Sequence, residues 1–205
     1  MKLNVSLELP WELSERAIAT SQQLQDCDTY FVLERTQNFP HITLFAATFD
    51  ASVKDDVCVV IRGICAAFRP VLCTVVAPEH HQGYLGYDLK MTEPLYSLHR
   101  ELVGVLGPLA DRKVCDGREY KMDLTEQQRA NMERFGYPDA LELYRPHFTL
   151  TRFKHPEEAE GFAHFSTVTE LVRLFPAFIA LYCGVFTSGE HGVCVKRLAS
   201  FKFEG

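Results

Sequence analysis

The sequence predicts an α+β protein rich in antiparallel strand pairs, with two matching halves in a single domain spanning residues 1–205. Three observations lead there. Strand-like and helix-like segments alternate, but several strand-like segments follow one another directly, which favours antiparallel pairing over a doubly wound parallel sheet. No low-complexity linker separates the halves. The pattern Pro-His-apolar-Thr-Leu occurs twice, as "PHITL" at 40–44 and "PHFTL" at 146–150, with His41 and His147 106 positions apart.

In chain order, Leu3, Val5, Leu7 and Leu9 alternate with Asn4, Ser6 and Glu8, a strand over 2–9. A helix is expected over 12–25, then a strand pair at 29–34 and 41–48. A helix over 52–68 leads to strands at 71–77 and 84–90. Leu95, Leu98, Leu102, Leu106 and Leu109 fall on one face of a helix over 94–109. After a charged stretch at 111–123, Thr125 and Gln128 make a capping box for a helix over 126–135, which Gly136 and Pro138 end. A strand over 146–153 and a helix over 157–173 follow. Strands at 176–186 and 193–203 close the chain, joined by the turn "TSGEHG".

Composition narrows the function. Hydrophobic residues make up 47% and charged residues 23%, ordinary for a globular chain, and the formal net charge is −6. An acidic balance argues against stable DNA binding, where clustered Lys and Arg would neutralise phosphates; a small nucleotide or short RNA end remains compatible. No apolar run reaches membrane-spanning length, and the N-terminus alternates rather than running apolar, so the expected compartment is the cytoplasm. The seven cysteines are odd in number and form no C-x-x-C pair. Cys58, Cys65, Cys73, Cys183 and Cys194 read as small buried hydrophobes, and no disulfide framework, metal or cofactor is expected.

The doubled motif carries the chemistry. Alternation along a strand places His41, Thr43 and Phe45 on one face, and His147, Thr149 and Thr151 on one face of the other strand. Imidazole takes or gives a proton near neutral pH. Two such dyads facing one cleft form an acid–base pair: one His deprotonates the attacking oxygen, the other protonates the leaving oxygen. The two Thr hydroxyls suit the non-bridging oxygens of a phosphoryl group.

At these residues the sequence resembles the 2H phosphoesterase superfamily, defined by two H-x-[TS]-x motifs, one per lobe. The "TLTR" continuation at 149–152 is similar to the second motif of the RNA 2′,3′-cyclic phosphodiesterase, or 2′-5′ RNA ligase-like, branch. The order of "GYLGYDLKM", Leu-rich helix and "YRPHFTL" looks like the small cyclic-nucleotide phosphodiesterases. The resemblance implies a bilobal fold, two antiparallel-rich sheets with outer helices around a central groove on a pseudo-twofold axis. It also implies a metal-independent reaction at a phosphodiester, with His41 and His147 as the acid–base pair and Thr43 and Thr149 as phosphate ligands. The expected substrate is a 2′,3′-cyclic phosphate on a nucleotide or RNA end. Two other readings stay open: hydrolysis of 2′-5′-linked or cyclic oligonucleotides, and a non-catalytic nucleotide- or protein-binding module.

Other residues complete the expectation. Parity places Arg145 on the His147 face, as a phosphate ligand, and Arg152 on the opposite face. Tyr84 and Tyr87 are candidate base-stacking platforms. His99 reads as a helix-surface residue, and His191 as part of a turn. Residues 111–143 read as an inserted segment that covers one end of the groove and restricts substrate.

Overall fold

The computed structural model describes residues 1–111 and 124–205. The chain opens with β1 (Lys2–Glu8), α1 (Trp11–Gln22), β2 (Thr29–Val32), β3 (His41–Thr48) and α2 (Lys54–Ala67). The middle holds β4 (Val71–His81), β5 (Tyr84–Leu89), α3 (Glu93–Leu106) and α4 (Glu126–Phe135). Then come β6 (His147–Phe153), α5 (Pro156–Ala163), α6 (Ser166–Leu174), β7 (Ala177–Ala180), β8 (Tyr182–Ser188) and β9 (Cys194–Lys202).

Two antiparallel sheets result, a four-stranded sheet in the order β3-β1-β8-β9 and a five-stranded sheet in the order β2-β6-β5-β4-β7. The lobes are therefore not the two halves of the chain. The first sheet joins strands from both chain ends, and the second takes the middle of the chain plus β2 and β7. The expected pairing of 29–34 with 41–48 does not form. β2 pairs with β6, β3 pairs with β1, and the chain crosses between sheets at 33–40. The expected strand at 176–186 is likewise two strands, β7 in one sheet and β8 in the other.

The helices form where an apolar stripe can cover the back of a sheet. In α2, Val57, Ile61, Ile64 and Cys65 are buried at helical spacing, and Asp55 and Asp56 lie in the first turn, where the helix dipole favours acids. The Leu-rich stripe of α3 is buried from Leu95 to Leu106; Pro108 then breaks the helix, so Leu109 falls in a 3-10 turn. The helix expected over 157–173 is split around His164 and Phe165. Ala159, Ala163, Val168 and Leu171 are all buried, and the step of five from Ala163 to Val168 cannot stay on one continuous stripe. α4 has the expected capping box, and Gly136 ends it with φ 71°, the left-handed turn glycine takes without a Cβ clash. One apolar cluster, from Leu3 and Val5 through Leu44, Leu98, Phe148 and Phe178 to Phe203, runs behind both sheets.

Candidate active site

The motif prolines, Pro40 and Pro146, immediately precede β3 and β6. The residue before a proline is held extended, which here fixes the direction of the carbonyl two residues before each histidine. His41 Nδ1 lies 2.7 Å from the Phe39 carbonyl oxygen. His147 Nδ1 lies 2.8 Å from the Arg145 carbonyl oxygen. A carbonyl only accepts, so the ring proton of each neutral histidine sits on Nδ1 and Nε2 carries the lone pair. The two rings are thus set in the same tautomer by the same local device.

Each strand then bulges at the same step. The β1–β3 ladder passes from Ser6 opposite Thr43 to Val5 opposite Phe45, leaving Leu44 as the extra residue. The β5–β6 ladder passes from Gly86 opposite Thr149 to Leu85 opposite Thr151, leaving Leu150 as the extra residue. A bulge reverses the alternation beyond it. Phe45 and Thr151, expected beside the histidines, are buried, and the Thr151 hydroxyl donates to the Phe31 carbonyl. Ala46 and Arg152 take their places on the open face, which corrects the expectation that Arg152 points away.

Thr43 and Thr149 are half-buried beside their histidines. Asn4 Nδ2 donates to Thr43 Oγ1 at 3.0 Å, and Asn4 Oδ1 accepts from the Ser6 hydroxyl. The Thr43 oxygen is used as an acceptor by Asn4, so its own proton is free to be donated into the groove. Asn4, Ser6 and Glu8 were legible as the polar positions of a strand. Because β1 is a central strand, they form the bed of the site: Asn4 and Ser6 are 2% and 0% exposed.

Each histidine has a carboxylate opposite it in the ladder, Glu8 across from His41 and Asp88 across from His147. Arg197 bonds Glu8 at 3.1 Å and lies over the rings of Phe39 and Phe186. Arg145 bonds Glu79 at 2.5 Å and Asp88 at 3.4 Å. The guanidinium expected on phosphate is therefore engaged by two carboxyl groups beside His147. Burial, then the hydrogen bond to Asp88 and its charge, push the Glu79 carboxyl up to about 7, against the pull of Arg145. Burial lowers His41 to about 4; the Phe39 carbonyl opposes this and the charge of His147 adds to it. The His41 ring thus feels the His147 ring across the seam between β3 and β6.

The stacking candidates separate. Tyr87 is fully buried, stacked on Phe148 at 4.7 Å with its hydroxyl donating to the Val168 carbonyl at 2.9 Å, so it is a core residue rather than a platform. Its ladder partner on β6 is the fully buried Phe148, so it lies on the closed face. Tyr84 lies opposite Arg152 on the open face. Arg152 sits over both Tyr84 and Tyr30, at 4.6 and 5.4 Å from the ring centroids. His191, in its expected turn, meets this group. Sequence reasoning missed Tyr30, Asn4 and Arg197, which lie far from both motifs along the chain.

His99 is not on the surface but fully buried behind Thr43, with Nδ1 donating to the Leu44 carbonyl at 2.7 Å and Nε2 accepting from the Leu141 amide at 2.8 Å. Its ring stacks on Tyr144 at 3.9 Å, and the Tyr144 hydroxyl donates to the Thr43 carbonyl at 3.0 Å. Within the inserted segment, Tyr137 packs edge-on against buried Phe45. The described residues 124–143 thus anchor to the core side of β3. Residues 112–123, part of the segment expected over the groove, lie outside the described residues.

A family model described as a protein of unknown function, DUF1045, matches residues 47–172, which include the second dyad. The chain belongs to the DUF1045 family. Its fold is that of the 2H phosphoesterases. TT0787 of Thermus thermophilus aligns with 100% of this chain and 99% of its own, at 13% identity and a TM-score of 0.59. E. coli LigT complexed with NADP+ aligns with 100% of this chain and 98% of its own, at 15% identity and a TM-score of 0.56. E. coli LigT complexed with phosphate aligns over the same shares, at 13% identity and a TM-score of 0.53. No curated protein matches the sequence. Among the described residues no helix is long and apolar enough to cross a membrane.

Proposed function

We propose that this chain is a metal-independent phosphodiesterase that opens the 2′,3′-cyclic phosphate of a nucleotide or RNA end. One observation carries the reading: two histidines, each with Nδ1 held by the carbonyl two residues earlier, keep Nε2 for the groove beside a threonine. In the reaction a water oxygen attacks phosphorus while one Nε2 takes its proton. The bond from phosphorus to the leaving ribose oxygen breaks as the other imidazolium returns a proton to that oxygen. Thr43 and Thr149 donate to the non-bridging oxygens as their charge grows. His41, held neutral by burial, suits the base; exposed His147, across from Asp88, suits the acid.

The fold relatives support a nucleotide as substrate, since E. coli LigT has been seen complexed with phosphate, 3′-AMP and NADP+. The test is turnover with EDTA present, across 2′,3′-cyclic nucleotides, 2′-5′-linked dinucleotides and cyclic dinucleotides. Turnover of the cyclic mononucleotides, lost by about 100-fold or more in both His41→Ala and His147→Ala, is the expected result. Turnover of the linked dinucleotides alone moves the reading to oligonucleotide hydrolysis. Nucleotide binding without any turnover makes the chain a binding module. A 4-nitrophenyl nucleotide ester, whose leaving group needs no acid, separates the roles: His147→Ala keeps activity on it and His41→Ala does not. The reverse pattern exchanges acid and base.

A further inference from the structure

We propose that Tyr30, Tyr84 and Arg152 form a subsite for a purine ring, and that the imidazole of His191 occupies it here as an internal stand-in. The inference rests on reading the dyads as a phosphodiester site, and it concerns what lies beyond the phosphate.

The turn between β8 and β9 leaves the first sheet and reaches the second. The His191 ring lies 4.1 Å from the Tyr30 ring, inclined by 36°. Arg152 Nη1 lies 2.7 Å from His191 Nδ1. Guanidinium only donates, so Nδ1 is the acceptor and the imidazole is neutral. The His191 carbonyl accepts from the Tyr84 hydroxyl at 3.4 Å. An imidazole with one face on a tyrosine, receiving an arginine N–H on a bare ring nitrogen, stands in for the five-membered half of a purine with its N7. Arginine reads N7 of purines in this way, and tyrosine rings are general platforms for bases.

The placement suits a nucleotide. Arg152 and Tyr84 lie on the same open face as Thr149, three residues further along β6, about 10 Å at strand rise. That is the reach of a ribose between a phosphate at the threonine and a base. Arg152 lies over two tyrosine rings, and its buried Nε has no partner among the described residues. Such an orphan donor marks a polar site that the present occupant does not complete.

The turn is built for one tight conformation: His191 has φ 57° and Gly192 φ 76°, so two successive residues are left-handed. A non-glycine residue at that angle is held there by its contacts, and replacing it by glycine keeps the backbone while removing the plug.

Adenosine, which has no phosphate, is the probe, titrated calorimetrically into the wild-type chain, His191→Gly and His191→Gly/Tyr30→Ala. A plug that leaves the subsite free a tenth of the time weakens apparent affinity about tenfold. His191→Gly is expected to bind adenosine about tenfold more tightly than wild type, and the added Tyr30→Ala to lose at least that gain. Equal affinity in wild type and His191→Gly, or tight binding that survives Tyr30→Ala, overturns the proposal. Cyclic-phosphate turnover measured on the same proteins keeps the two readings apart. Adenosine binding without turnover leaves the subsite standing and removes the catalytic reading; turnover with unchanged adenosine affinity does the opposite.

Discussion

Thr43 has a direction only because Asn4 sets it. The amide of Asn4 fills an acceptor position on Thr43 Oγ1, which leaves the hydroxyl proton for the groove. Removing that amide in Asn4→Ala frees the hydroxyl to rotate. We expect kcat on a 2′,3′-cyclic nucleotide to fall about tenfold with little change in KM, the pattern of a contact made in the transition state. Asn4→Asp is the sharper test. A carboxylate accepts the Thr43 proton and turns it away from the groove, so the loss should exceed that of Asn4→Ala in steady-state assays of folded protein. A smaller loss in Asn4→Asp would show that Thr43 does not donate to substrate. The residues of the two dyads were legible from their repetition, and Asn4 was not. Its position in "KLNVSLE" carries an ordinary strand alternation, and nothing local says that the polar side of that strand faces a groove.

At the scale of the element, the matched bulges decide what joins each dyad. Strict alternation placed Phe45 and Thr151 beside the histidines and turned Arg152 away. The extra residues Leu44 and Leu150 reverse that, bury the first two and bring Arg152 onto the open face. A bulge is set by the partner strand, so it cannot be read from the bulged strand alone. Gly86 is the partner at the second bulge. A Cβ there would collide with the Phe148 carbonyl and lie 2.9 Å from the Thr149 Cα. Gly86→Ala should therefore push β6 away, costing about 1–3 kcal/mol in urea unfolding and lowering kcat through displaced Thr149. Unchanged stability would mean that β6 gives way without strain. The helices were the most legible elements, because their stripes and caps are local. The split between α5 and α6 was missed since each piece keeps helical spacing by itself.

Across the whole molecule, His99 ties the segment at 140–144 to β3 behind the site. Burial lowers it to about 4, with the Leu44 carbonyl acting in the opposite sense. Its Nε2 must stay unprotonated to accept the Leu141 amide. In the unfolded chain the same ring titrates near its ordinary value of about 6.5, so between the two values the unfolded state binds more protons. The stability it supports is complete above about pH 6.5 and is lost as pH falls toward 4. His41 titrates in the same window and Glu79 in the opposite sense, so we expect the His99 share of the fall in unfolding free energy between about pH 7 and pH 5 to be about 2 kcal/mol, read by urea denaturation of wild type against His99→Gln. Much of that slope should disappear in His99→Gln, whose side chain carries no titrating group. A slope that persists unchanged would assign the acid sensitivity to other groups.

The sequence by itself determined the fold class and most of the elements and singled out the two His-x-Thr motifs, because periodicity, capping and a repeated motif are all local patterns. Tertiary structure alone decided which strands share a sheet, since pairing across long chain separations leaves no local mark: β2 and β3, neighbours in sequence, went to different lobes. It likewise decided the surroundings of the dyads. Asn4, Arg197, Tyr30 and His191 reach the groove from remote segments, and Tyr87 leaves it, because each goes where its own strand or turn is packed. Local sequence therefore fixes which side chains can handle a proton, and the assembled sheets fix what those side chains face.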